Sequence, residues 1–202
     1  MKINTEKLVN SILNSLDHAS HVKASDIPNI PLYMDQVTTF MDTHLASSKR
    51  YPDDKILTKT MINNYAKNDL LPAPDKKKYS REHLLVMLFI YYFKSFLSIT
   101  DIQTLMNPLT EKYFQNGEGI NLEFLYTEVF KMEESQLEHL KENIREMYKT
   151  SKDTFPDASE EDQEFLQHFS FICLLSFDVY MKKQMIERLI DQLPKPNPKK
   201  KK

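Results

Sequence analysis

The chain has 202 residues, 41% of them apolar, with two glycines and one cysteine, which is room for one domain or a little more and for a real hydrophobic core. Gly117 and Gly119 alone cannot write a G-x-x-x-x-G-K-[ST] phosphate loop or a G-x-G-x-x-G dinucleotide turn. Few glycines also argue against a turn-rich all-β fold, and Cys173 alone excludes an internal disulfide or a cysteine-based zinc knuckle. The net charge of −2 conceals an asymmetry: Lys49 to Arg81 holds nine basic and four acidic residues, whereas Glu111 to Glu164 holds fifteen acidic and six basic, a pattern expected when one region touches a polyanion and the other does not.

Residues 3–17 carry Ile3, Leu8, Ile12, Leu13 and Leu16 at helical spacing, with no apolar stretch and cleavage site of the secretory kind. Pro28 and Pro31 then break the pattern. Helical spacing returns with Leu32, Val37, Phe40, Met41 and Leu45, and a polar loop spans Ala46 to Lys55. Thr58 is a good N-cap for a helix running to Leu70 and closed by Pro72. Its buried face is Met61, Ile62, Tyr65, Ala66 and Leu70. Its outer face sets Lys59, Asn63 and Lys67 at i, i+4 and i+8, beside Thr60 and Asn64, with no carboxylate before Asp69. Residues 73–79 are too short for a helix and suit a turn or small hairpin. Ser80 caps the next helix, Arg81 to about Phe96, which is apolar all round from Leu84 to Phe93 and is therefore the expected central core helix. That apolar run is about half of the roughly 20 residues a membrane span needs. Thr100 to Gln103 has the form of a capping box, opening a short helix that Asn107-Pro108 ends.

Gln115 to Gly119 is the one glycine-containing turn and the predicted boundary between units. Beyond it, Asn121–Lys149 carries a 3-4-3 seam of Leu137, Leu140, Ile144 and Met147. Pro156 breaks this helix, Ser159 caps, and a second long helix runs from Glu160 to about Leu193. Its Phe165, Phe169, Ile172, Val179, Met185 and Leu189 read as core. The lysine-rich tail from Pro194 is expected to be disordered.

Enzymatic chemistry finds little support. The six histidines (18, 21, 44, 83, 139, 168) fall in no H-E-x-x-H frame, and His18 with His21 makes only half a zinc site. Cys173 sits in an apolar helical stretch, where a cysteine behaves as a small hydrophobe. No cofactor or metal site is expected.

The order of pieces from Thr58 onward carries a resemblance. Met61-Ile62-Asn63-Asn64-Tyr65, Leu70-Leu71-Pro72, a basic turn, Tyr79-Ser80 and the downstream Leu97 to Ile102 resemble the winged helix-turn-helix of MerR-type transcription regulators. Ile30 to Pro108 as a whole resembles a family of small bacterial proteins known as a domain of unknown function. The resemblance implies a mainly all-α fold with a small wing hairpin and a helical C-terminal module. Its parts are an N-terminal helix and linker at 1–29, the winged domain at 30–116, a dimerisation or effector module at 120–193 and the tail at 194–202. It implies a bacterial cytoplasmic regulator that binds double-stranded DNA, with a homodimer through the C-terminal helices, no membrane association and an effector the sequence does not name. In that reading Thr58, Lys59, Thr60, Asn63, Asn64 and Lys67 face the major groove, where asparagine matches adenine and lysine matches guanine or phosphate, while Tyr65 packs its ring inward with its hydroxyl free to reach a phosphate. Lys76, Lys77, Lys78, Tyr79 and Arg81 form the wing side and reach phosphates, with a local cap or salt bridge as the alternative for Arg81. MerR-type helices usually carry an arginine and two tyrosines where Asn63, Asn64 and Tyr65 stand here. The alternative is therefore a helical protein-interaction or ligand-binding module on a scaffold that has lost DNA binding.

Overall fold

In the computed structural model, which describes residues 5–16, 21–117 and 119–194, the chain is mainly all-α. Among these residues it forms α1 (Thr5–Leu16), β1 (Leu32–Tyr33), α2 (Met34–His44), α3 (Lys59–Lys67), β2 (Lys78–Tyr79), α4 (Arg81–Phe93), α5 (Ile99–Tyr113), α6 (Leu122–Lys152) and α7 (Glu160–Ile190), with short 3-10 turns at Ala24–Asp26 and Ala46–Ser48. None of the described helices is long and apolar enough to cross a membrane. The lysine-rich tail from residue 195 and His18 lie outside the described residues.

Two units partition the chain: a core unit of Ala19–Phe130 with Leu189–Lys202, and a helical unit of Met1–His18 with Lys131–Arg188. The division differs from the one predicted at the glycine turn. The first turns of α6 belong to the core unit because Leu122, Tyr126 and Phe130 are buried in it, with the Tyr126 ring 5.4 Å from Phe89 and 4.4 Å from Phe130. Residues 21–29, expected as linker, are a strap on the same unit. Val22 and Ile27 are buried there, and the Tyr126 hydroxyl donates to the Val22 carbonyl.

The middle of the core unit is α4, where every residue from His83 to Ile90 is buried, as an all-round apolar helix requires. Val37, Phe40 and Met41 of α2, Ile62 and Tyr65 of α3, and Ile102 and Met106 of α5 complete the core. Antiparallel pairing of β1 and β2 sets Leu32 opposite Tyr79 and Tyr33 opposite Lys78. Leu32 therefore begins a strand rather than a helix, and α2 starts two residues later. There Tyr33 takes the N-cap position and donates its N–H to Gln36 Oε1 at 2.9 Å.

Helix α5 departs from expectation at both ends. Its N-cap is Ser98, whose Oγ accepts the Asp101 N–H at 3.1 Å while Asp101 Oδ2 accepts the Ser98 N–H at 3.2 Å. At the other end Pro108 lies inside the helix. Proline forfeits one backbone donor there, but its ring faces solvent, and the extra turn delivers Phe114 edge-on to the buried His83 ring at 4.8 Å. Core packing outweighs the local preference.

In the helical unit Val9 and Leu13 of α1 pack with Phe171 of α7, and Ile144, Met147 and Tyr148 of α6 lie against them. Thr5 Oγ1 meets His168 Nδ1 at 3.4 Å. Ser159 accepts the Asp162 N–H at 3.2 Å, opening α7 as expected. The six α7 residues read as core are instead exposed: Phe165 at 69%, Phe169 at 52%, Ile172 at 48%, Val179 at 60% and Met185 at 67% in this unit, and Leu189, at the start of the core unit's last segment, at 65%. Periodicity alone cannot say which of two apolar faces meets the protein's own core, and α7 has more apolar surface than α1 and α6 cover.

Candidate nucleic-acid interface

Helix α3 is short because both of its ends are closed locally. Thr58 Oγ1 accepts the Met61 N–H at 3.2 Å, satisfying one of the donors a helix start leaves open. At the other end the Leu70 N–H reaches the Tyr65 carbonyl at 2.9 Å and the Asp69 N–H reaches Ala66 at 3.3 Å. Asp69 stands at φ 55° between them. This is a Schellman closure with aspartate in the seat glycine usually takes. It stops α3 at Lys67, earlier than the expected Leu70. With Ile62 and Tyr65 turned inward, Lys59, Thr60, Asn63, Asn64 and Lys67 are exposed and Thr58 is half-buried.

The wing is built from the pairing of β1 with β2 and from a tight turn at its tip. The Lys78 N–H donates to the Asp75 carbonyl at 2.8 Å, and Asp75 and Lys78 form an antiparallel bridge. Lys76 and Lys77, the two residues between, have φ of 46° and 65°. A two-residue hairpin turn with both central residues left-handed is the type I′ geometry, which favours Asn-Gly. Left-handed backbone costs a residue with a β-carbon about 1 kcal/mol or more. Here the turn holds two lysines, and Lys76, Lys77 and Lys78 are all exposed.

Helix α2 brings the wing and α3 together. Lys59 forms an ion pair with Asp35 in the first turn of α2, while the Lys78 ammonium lies 5.1 Å from the ring centre of Tyr33, the N-cap of the same helix. The start of α3 and the root of the wing thus meet at one end of α2. Among the described residues no carboxylate pairs with Lys67, Lys76 or Lys77.

Three of the predicted contact residues are placed elsewhere. Tyr65 and Tyr79 are 7% and 3% exposed, and burial raises the pKa of both hydroxyls, so these side chains belong to the core. Arg81 is spent on internal acceptors. Its Nε and Nη2 grip Glu123 at 2.9 and 2.7 Å, Nη2 also donates to the Ala24 carbonyl at 2.7 Å, and Nη1 donates to Ile27. This guanidinium clasps the 21–29 strap and the start of α6 onto α4. No local signal marks Glu123 as its partner, because the pair is 42 residues apart in sequence.

His83 links the wing to the core. Its Nδ1 accepts the Ser80 N–H at 2.9 Å at the start of α4, and its ring meets Tyr79 edge-on at 5.6 Å. An accepting Nδ1 puts the proton on Nε2, which lies 3.4 Å from the Ala73 carbonyl. Burial pushes the pKa of His83 down, against smaller upward effects of the Ala73 carbonyl and Glu82. Among the described residues no group of three His, Cys, Asp or Glu side chains is placed to hold a metal ion.

No curated protein and no solved structure matches the chain. Residues 22–130, more than half its length, match the family described as Domain of unknown function (DUF1836), a span that runs from the Val22 strap to the last α6 residue of the core unit; the chain belongs to that family.

Proposed function

We propose that the core unit binds double-stranded DNA as a transcription regulator of the MerR-like winged helix-turn-helix kind. Helix α3 lies in the major groove, and the 75–78 turn rests on the phosphates alongside. The observation that carries the reading is the turn itself. Two consecutive lysines occupy left-handed backbone where Asn-Gly would be cheaper, and strain of that kind marks positions kept for what they contact. Lysines at a wing tip supply sequence-independent phosphate contacts. On α3, Asn63 and Asn64 present amides able to pair bidentately with adenine, and Lys59 and Lys67 reach guanine or phosphate. Tyr65, Tyr79 and Arg81 hold these parts in place and make no contact of their own. Such a regulator works in the cytoplasm.

A second reading, a protein-interaction module on the same scaffold, is favoured by the Lys59–Asp35 pair, which offsets one cation of the stripe, and by Asn63 in place of an arginine. Selection of binders from random duplex DNA separates the two. The regulator enriches a motif, and Lys59→Ala/Asn63→Ala/Lys67→Ala abolishes the enrichment. Absence of any enriched motif, with no binding even at low salt, leaves the interaction module.

A further inference from the structure

Residues 45–58, which join α2 to α3, run well past the roughly three or four residues of an ordinary helix-turn-helix turn. A long connection inside a compact unit is usually kept for function, and this one closes over a cavity of about 480 Å³ at the C-terminal end of α4. We propose that the cavity binds a small phosphate monoester, held by Lys55 and Lys94 with its organic group against the rings of Tyr91 and Tyr92.

Three lysines and one carboxylate line the cavity. Lys49 is held by Asp42 at 2.7 Å, and Asp54 Oδ2 accepts the N–H groups of Arg50 and Tyr51 at 3.1 and 2.9 Å. Lys94 and Lys55 have no carboxylate partner among the described residues. The Lys94 ammonium donates to the Ile56 carbonyl at 2.7 Å and lies 4.8 Å from the centre of the Tyr91 ring. Both partners are neutral, and two N–H groups of the ammonium remain. Lys94 is the C-cap of α4 and more than offsets the roughly half a negative charge of that helix end. Its charge is half-buried, so burial pushes its pKa down, and an anion in the cavity would supply the missing compensation.

The walls are fixed before a ligand arrives. Ser48 Oγ donates to the Leu45 carbonyl at 2.6 Å, so the Tyr91 hydroxyl supplies the proton of its own bond to Ser48. The Tyr92 hydroxyl accepts the Val22 N–H at 3.3 Å. Lysines offer point charges, which suit a phosphate, and among the described residues no arginine fork of the kind a planar carboxylate prefers lines the wall. The volume falls within the roughly 300–1,000 Å³ of small-molecule sites, which leaves room for the esterified group. A duplex backbone lies along a surface, whereas Lys94 sits behind the loop. The site stands whether or not the core unit binds DNA.

Titration of the full chain with phenyl phosphate, without DNA, tests the proposal by heat of binding and by amide NMR shifts. One saturable site is expected, with shifts confined to residues 48–56 and 91–95, and tighter than for inorganic phosphate or benzoate. Lys55→Ala, at an exposed position, and Lys94→Met, which keeps the stem and removes the charge, are each expected to weaken binding about 10-fold or more. Both are expected to keep the helical circular dichroism signal. Because Lys94→Met also frees the Ile56 carbonyl, Lys55→Ala decides the matter if that variant unfolds. Absence of saturable binding, benzoate bound as tightly as phenyl phosphate, or variants that bind like wild type overturn the proposal. So does a wild type that ignores phenyl phosphate while Lys94→Met loses duplex affinity, which assigns the lysine to a DNA backbone.

Discussion

The core unit and the helical unit solve the same problem differently. In the core unit one apolar helix, α4, is enclosed on all sides, and eight consecutive residues of it are buried. In the helical unit a 31-residue helix as rich in phenylalanine buries Phe171 and leaves Phe165, Phe169 and Phe177 in water. The contrast teaches that apolar content does not identify a core. Enclosure by other elements does, and α4 lies against α5, β2 and the start of α6 in a core that α2 and α3 complete, whereas α7 has α1 and part of α6. The core unit is complete within one chain, and its exposed surface is free to be polar and basic. The helical unit leaves an apolar face of α7 exposed.

Truncations break this comparison most sharply. Leu85→Ala in α4 removes a side chain with no exposure and is expected to cost about 3 kcal/mol. Ile172→Ala in α7 is expected to stay within about 0.5 kcal/mol at concentrations where the chain is dilute. Urea unfolding of both variants checks this, and equal losses would mean that α7 is covered within its own chain.

Arg81→Met is next. It leaves Glu123 without its guanidinium and the Ala24 and Ile27 carbonyls without their donor, an expected loss of about 2 kcal/mol by the same assay. Because Arg81 faces inward, the salt dependence of DNA binding is expected to be unchanged.

Lys77→Gly acts in the opposite direction. Glycine adopts positive φ freely, so the variant is expected to gain about 1 kcal/mol of stability while weakening DNA binding. A gain in stability with undiminished binding would remove the reason for a lysine in that turn.

The smallest effect is a pH dependence confined to the core unit. Burial holds His83 below its ordinary range, so its neutral form is favoured by folding. Its contribution is complete above about pH 6.5, the unfolded value, and declines as pH falls below it, because the unfolded chain takes up the proton first. Urea midpoints at pH 7.5 and 5.5 are expected to differ in that sense, and His83→Gln to flatten the difference.

How much of this is legible in the sequence follows from the range of the interactions involved. The α4 core, the Thr58 and Ser80 caps and the exposed face of α3 are set within a few residues, and periodicity and capping rules reach them. The Arg81–Glu123 clasp, the strap at 21–29 and the course of α5 through Pro108 depend on groups distant in the chain. The early stop of α3 is hidden because Asp69 occupies a seat that glycine usually advertises. The exposed face of α7 escapes periodicity because apolar residues at helical spacing give the same pattern whether or not another element of the chain covers them.

The central claim is that the strained Lys76–Lys77 turn and α3 form one DNA-binding surface. Its most direct test is the salt dependence of duplex binding by wild type beside Lys76→Ala/Lys77→Ala/Lys78→Ala. Removing one lysine–phosphate pair lowers the slope of log K against log salt by about 0.9. The variant is therefore expected to bind with a slope shallower by about 2 to 3 while retaining the wild-type sequence preference. An unchanged slope, or no salt-sensitive binding by the wild type, would contradict the claim.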